Sequence, residues 1–154
     1  MNTPDYMSMA LAEAEAAARA DEVPVGAVIV GAKGDVLARA GNAMRRTKDP
    51  TGHAEILALR AACAALGTDR LTDCDLYVTL EPCTMCAGAI AHARIRRLYY
   101  GAADRKAGAV DNGVALFDQP SCHHKPEIYG GIQEIAAAGL LRDFFALRRN
   151  EPFF

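Results

Sequence analysis

Two short segments carry the residue types from which a reactive centre can be built: His53-Ala54-Glu55 and Pro82-Cys83-Thr84-Met85-Cys86. Each follows extended or loop sequence and opens a predicted helix. Cys83 and Cys86 stand three positions apart on one helix face, so two sulfurs can converge on one ion. Both fall in the predicted first turn, where the helix dipole favours thiolates. His53 brings a nitrogen donor from the other helix. Two thiolates and one imidazole suit zinc and leave a tetrahedral ion one place that water can fill. Water held there loses a proton far more easily than in bulk, which makes it a nucleophile near neutral pH. Glu55 can take that proton and deliver it to a substrate nitrogen. On a regular helix His53 and Glu55, two residues apart, would point to nearly opposite sides. They serve one site only if His53 lies at the helix boundary, where dihedrals are irregular. Asp49-Pro50-Thr51-Gly52 supplies such a boundary.

Taken alone, a C-x-x-C or a histidine at a helix start reads more simply as a structural half-site or a cap. A closed structural site would need a fourth protein ligand. By type the candidates are Cys63, Cys74, Cys122, His92, His123 and His124. His92, six residues beyond Cys86, lies on the far side of its helix. Cys63 reads as a small core residue. Cys122 stays open, with no second motif beside it.

The elements that must position these residues follow from the pattern. Asp5 to Ala20 is rich in Ala, Glu and Leu, without Gly or Pro, and predicts a helix. The β-branched run Val23 to Val30 predicts a buried strand. A turn at Gly31 to Asp35 and a return strand from Val36 to Ala40 complete a hairpin. Gly41 to Gly52 reads as a polar loop carrying Arg45, Arg46 and Lys48. A helix runs from His53 to Leu66, with Gly67 just past its end. Leu76 to Leu80 is a short buried strand, and Pro82 opens a helix over Cys83 to Ala93. Arg97 to Tyr100 is a further strand, Gly101 to Lys125 mainly loop, and Glu127 to Tyr129 an edge strand. A helix from Ile132 is expected to break near Gly139, and a last helix to run from Leu140 to Arg149. This order argues an α/β fold, a single three-layer domain over residues 1–154 with a mixed sheet.

The chain has 154 residues, 51% of them apolar and 23% charged, with a net charge of −2. That is a globular composition with enough apolar surface for a core. No run of about 18 apolar residues suggests a membrane span. The first residues lack the basic-then-apolar pattern of a secretory signal. Five scattered cysteines, an odd number, suit a reducing compartment, so the expected location is cytoplasmic. The mildly acidic balance gives no general support for nucleic-acid binding, which would need a local basic patch.

The pattern H-x-E…P-C-x-x-C is the established signature of the zinc-dependent nucleobase deaminases, a class that already includes tRNA adenosine deaminases. The sequence resembles the bacterial tRNA-specific adenosine deaminases, which convert a wobble adenosine of a tRNA anticodon to inosine. The resemblance runs through Glu22 to Val28, Gly41-Asn42, Asp49-Pro50-Thr51 and His53 to Ile56. It continues through Tyr77 to Ile90, Ala93-Arg94-Ile95, Gly101 to Asp104, Asp143 to Phe145, and Arg148-Arg149, covering about residues 5 to 149. It implies a cytidine-deaminase-like α/β/α fold with a central mixed five-stranded sheet, a Zn2+ cofactor, and a homodimer with active sites near the interface. It implies that Asn42 hydrogen-bonds the target nucleoside and that the Ala54 backbone helps hold the base. It places Asp104, Lys106 and Phe144 where the family meets nucleotides flanking the target. Read without the family, Asn42 is a turn residue, Asp104 a loop cap and Phe144 core. Gly52 stands where many members carry Ala, and the chain ends at Glu151-Pro152-Phe153-Phe154 where several relatives have a lysine-rich tail. Local basic groups nevertheless stand at Arg45, Arg46 and Lys48, at Arg94, Arg96 and Arg97, at Lys106, and at Arg142, Arg148 and Arg149. The expected reaction is hydrolytic deamination of adenosine in tRNA. The alternatives are a deaminase of free guanine, cytosine or a nucleoside with the same metal and Glu55, and a non-catalytic zinc-stabilised RNA-binding module.

Overall fold

The computed structural model describes residues 4–148; residues 1–3 and 149–154, including Arg149 and the final Glu-Pro-Phe-Phe, lie outside it. Helix α1 spans Tyr6–Arg19 and is capped by Asp5, whose carboxylate accepts the Ser8 N–H at 3.0 Å. Its buried residues, Met7, Ala10, Leu11, Ala14 and Ala17, recur at helical spacing and form one stripe. Strands β1 (Gly26–Val30) and β2 (Val36–Gly41) make the hairpin. A short helix α2 (Met44–Thr47) interrupts the polar loop, and α3 (Ala54–Leu66) follows, stopped by Gly67 in the left-handed conformation. Next come β3 (Asp75–Leu80), α4 (Thr84–Ala93) and β4 (Arg97–Ala102), then a 3₁₀ turn at Leu116–Asp118, β5 (Glu127–Tyr129) and α5 (Glu134–Arg148).

The five strands form one mixed sheet in the order β2-β1-β3-β4-β5. β1 runs antiparallel to both neighbours, whereas β3, β4 and β5 are mutually parallel. Alternate residues serve opposite faces. Ala27, Ile29, Leu76, Val78 and Leu98 pack against Ala58, Leu59 and Ala62 of α3 and Ala87 and Ile90 of α4. Val28 and Val30 pack with Met7, Ala10 and Leu11 of α1 and Ala137 of α5. Helices on both faces give three layers and leave every residue of β1 buried, hence its unbroken apolar run. On the α1 face a row of aromatic rings crosses the sheet. Tyr6 meets Tyr77 at 5.3 Å between centroids, Tyr77 meets Tyr99 at 4.4 Å, and Tyr99 meets Tyr129 at 5.0 Å.

Three expectations need correction. The strand expected from Val23 begins only at Gly26. Pro24 has no N–H to give a ladder, and the Val25 N–H turns back onto the Val23 carbonyl at 2.8 Å. The loop over 41–52 contains α2, whose first backbone N–H groups are satisfied by the distant Glu22 carboxylate. The break expected at Gly139 is absent, since α5 runs through it without interruption. Glycine costs about 1 kcal/mol inside a helix. Burial of Ala137 on one side of it and Phe144 on the other holds α5 against the body of the molecule.

Candidate active site and metal centre

The parallel pair β3 and β4 ends on the same side of the sheet, and the chain leaving β3 leads directly through Glu81-Pro82 to Cys83. Sites in open α/β sheets gather at such carboxyl ends. Cys83 is the N-cap of α4, with φ −74° and ψ 177°, and His53 is the N-cap of α3, with φ −72° and ψ 151°. Both donors therefore stand one residue before a helix, on extended backbone, and Cys86 sits in the first turn of α4. This boundary conformation removes the conflict between His53 and Glu55: only Glu55 is within the helix.

His53 Nδ1 lies 3.7 Å from Cys83 Sγ and 3.5 Å from Cys86 Sγ, and the three donor atoms all fall within 4.8 Å of one another. Nitrogen and sulfur ligands of a tetrahedral zinc lie about 3.6 Å apart, from bond lengths of about 2.0 and 2.3 Å. The donor set and its spacing thus fit zinc. Among the described residues, no other group of three or more His, Cys, Asp or Glu side chains is so arranged. The candidate fourth ligands lie elsewhere. Cys122 donates to the His124 carbonyl at 3.2 Å, His124 meets the Ile95 carbonyl, Cys74 belongs to the core, Cys63 packs half-buried against it, and His92 and His123 are exposed.

Glu55 is 4% exposed, beside His53, Cys83 and Cys86. Burial pushes its carboxyl up to about 7, with the Cys83 charge adding to the rise. The thiols divide between them what a metal would take from both. Hydrogen bonds from the Cys86 thiol and from His53 hold Cys83 down at about 4, while Cys86 is driven up as the proton-bearing partner and by its own burial. His53 is raised in turn, first by its hydrogen bond to Cys83.

Asn42 is buried, and its Oδ1 accepts the Ala54 N–H at 2.8 Å. The Ala54 N–H is thereby engaged, and Asn42 is left with its amide NH2 as the donating end. Two further buried acids were not singled out by the sequence reading. Glu22 accepts the N–H groups of Arg45 at 3.1 Å and Arg46 at 2.8 Å, which caps α2. Glu81 accepts N–H groups along 104–112. Their signal was present in the sequence: each acid stands beside an apolar strand, where a charge needs a reason to be.

The residues expected at the rim are placed unequally. Asp104 Oδ1 accepts the N–H groups of Lys106 and Ala107, at 3.1 and 3.0 Å, so it ties its own turn. Lys106 is exposed on that turn. Phe144 is buried, edge-on to Phe145 and beneath the Arg148 guanidinium, whereas Phe145 is 48% exposed. Five of the basic residues fall into two clusters. Arg45 and Arg148 pair with Asp21, and Arg46 with Glu22, near the loop that carries Asn42. Arg96 and Arg97 pair with Asp75 at the opposite end of β3.

Donors brought to the carboxyl end of a parallel strand pair in this way, with a carboxyl group beside them, mark a deaminase of the cytidine-deaminase-like class. The chain belongs to the MafB19-like deaminase family, whose profile matches residues 1–146, and within it to the tRNA-specific adenosine deaminases. It is 58% identical to the tRNA-specific adenosine deaminase of Agrobacterium fabrum, over 94% of both chains. A solved structure from studies of A-to-I editing by tRNA:A34 deaminases at the wobble position superposes with a TM-score of 0.87. That pair is 58% identical and covers 88% of this chain and 98% of the other. The guanine deaminase of Nitrosomonas europaea shares the fold at a TM-score of 0.75 and 26% identity, over 92% of this chain and 83% of its own.

Proposed function

We propose that this chain, a single deaminase domain, hydrolytically deaminates adenosine to inosine at the wobble position of a tRNA anticodon. The observation that carries the reading is Glu55, buried beside the His53, Cys83 and Cys86 donors yet outside their triangle. His53, Cys83 and Cys86 would hold zinc. When bound, zinc supplies a Lewis acid that loosens a proton of water. Glu55 takes this proton and places it on adenine N1, while the water oxygen bonds to C6. Glu55 then takes the remaining proton from the C6 hydroxyl and passes it to the departing amine; the C6–N6 bond breaks as the C6 carbonyl forms, and ammonia leaves. Burial raises the Glu55 carboxyl from its ordinary value, and a carboxyl held out of water in this way suits a group that both accepts and gives a proton.

Asn42 presents its NH2 to the nucleoside, and the Ala54 backbone, held by Asn42 Oδ1, forms the wall beside the base. Asp104 and Lys106 flank the target on one side. Phe144 acts on the other by supporting the exposed Phe145 ring, which is free to stack on a base. Relatedness to tRNA-specific adenosine deaminases supports RNA as substrate, because the net charge of −2 does not. An unpaired anticodon base also costs little to extrude. A homodimer with active sites near the interface accompanies this reading, and the groove between α3 and α4, whose lining mixes Ile56, Leu59 and Ala93 with Arg60, Arg70 and Arg94, is the surface we assign to it. A tRNA-modifying role also fits a cytoplasmic location, and no described helix is long and apolar enough to cross a membrane.

The deciding experiment offers the zinc-loaded protein an anticodon stem-loop, free guanine, free cytosine and nucleosides, and follows inosine and ammonia. Inosine on the stem-loop alone is expected. Ammonia from guanine or cytosine in place of inosine in RNA would move the chain to the free-base deaminases, and no turnover on any of them would leave a zinc-stabilised binding module.

A further inference from the structure

Glu81 joins β3 to the turn that carries Cys83. Its side chain is 2% exposed and is not part of the donor triangle. It accepts five hydrogen bonds, all from one stretch of chain. Oε1 receives the Asp104 N–H at 3.0 Å and the Asn112 amide at 2.7 Å. Oε2 receives three successive backbone N–H groups, from Val110, Asp111 and Asn112, at 3.1, 2.9 and 3.0 Å. Successive N–H groups converging on one point form a nest for an anion, and here the protein supplies the anion itself.

The same stretch is fastened directly to the metal-site turn. Gly108 bridges to Cys83, and the Ala109 N–H donates to the Pro82 carbonyl at 2.9 Å. A Cβ on Gly108 would stand 2.6 Å from Glu81 Cδ, so no side chain fits between the carboxylate and this backbone. The exposed turn over 103–107 projects from that base, with the Asp104 N–H held by Glu81 and the Asp104 carboxylate holding Lys106 and Ala107. Both oxygens of Glu81 must accept. An amide would turn an NH2 onto N–H donors that have no other partner among the described residues, so glutamine is no substitute.

We infer that Glu81 is a positioning residue that fixes the 103–112 segment against the Cys83 turn, so that its exposed tip forms a rigid wall for the nucleotide beside the target. Glu81 touches no substrate. It acts through the backbone of Asp104 and through Asn112. The inference rests on the reading of RNA as substrate.

The test compares wild type, Glu81→Gln and Asn112→Ala for zinc content, for kcat and KM on an anticodon stem-loop, and for stem-loop Kd by fluorescence anisotropy. Glu81→Gln should keep its zinc and its kcat while KM and Kd rise about tenfold, because buried donors lose their acceptor. Asn112→Ala, which loses a single bond of the five, should raise both by about threefold. Unchanged KM and Kd in Glu81→Gln, or a fall confined to kcat, overturns the inference. Should Glu81→Gln fail to fold or to hold zinc, Asn112→Ala decides by the same criterion. A wild type that neither binds nor deaminates the stem-loop sinks the function reading alone. Amide exchange over 103–112 in Glu81→Gln then still shows whether Glu81 holds the segment, faster exchange supporting the hold and unchanged exchange ending it.

Discussion

Asn42 Oδ1 accepts the Ala54 N–H at 2.8 Å, so a loop side chain twelve residues upstream anchors the first turn of the helix that carries Glu55. The two ends of the Asn42 amide thus have separate duties. Asn42→Asp keeps an acceptor for Ala54 and removes the donor offered to substrate. Asn42→Ala removes both. The aspartate variant should melt near wild type yet turn over poorly, while the alanine variant should also lose about 1–3 kcal/mol of stability for the orphaned N–H. Thermal melts and steady-state rates on both variants check this, and equal activity in the aspartate variant would remove Asn42 from recognition.

Glu55→Ala should retain the metal, because the carboxylate is not among the three donors. Turnover should fall by about two to four orders of magnitude, the usual contribution of a positioned proton carrier. Metal analysis beside single-turnover rates separates the two effects. A variant that works normally would show that some other group moves the proton.

Cys83→Ser and chelation should both abolish activity, and zinc should restore only the chelated wild type. His53 and Cys83 are thirty residues apart in the chain, so an ion joining them cross-links it. By loop-closure entropy that cross-link restricts the unfolded chain by about 3–4 kcal/mol. The metal-free protein should therefore melt at a lower temperature than the loaded protein. Calorimetry with and without chelator reads the difference, and identical melting curves would argue against any metal at these donors.

Glu22→Gln should loosen the loop between β2 and α3. Glu22 is buried and its two oxygens accept Arg45 and Arg46 N–H groups, so the amide leaves one donor facing another. The expected cost is about 1–3 kcal/mol. Hydrogen exchange at residues 44–47 should quicken while that at β3 stays slow. Unaltered exchange there would show that α2 holds without its distant cap.

The donor triangle was legible because C-x-x-C and H-x-E constrain chemistry through local spacing alone. The boundary position of His53 could also be reasoned out, since one site for His53 and Glu55 demands it. Strands β1, β3 and β4 were visible as apolar runs, a consequence of helices covering both faces. Long-range satisfaction was not legible. Nothing near residue 44 announces that Glu22 caps α2, and nothing near residue 110 announces Glu81. Gly139 misled because local propensity ignores what Ala137 and Phe144 bury on either side of it. Of the basic residues, Arg45, Arg46 and Arg148 gather around Asp21 and Glu22 while Arg96 and Arg97 meet Asp75, a separation that no local spacing signals.

The row of rings on the sheet determines what optical probes can see. The chain has no tryptophan and five tyrosines, and Tyr6, Tyr77, Tyr99 and Tyr129 stack in sequence. The fifth, Tyr100, hydrogen-bonds Asp111. Near-ultraviolet dichroism and intrinsic emission will therefore be dominated by the packing of β3, β4 and β5 and of Tyr6 of α1 against them. They will be largely blind to His53 and the two cysteines, so a preparation stripped of its ion can look native by these signals.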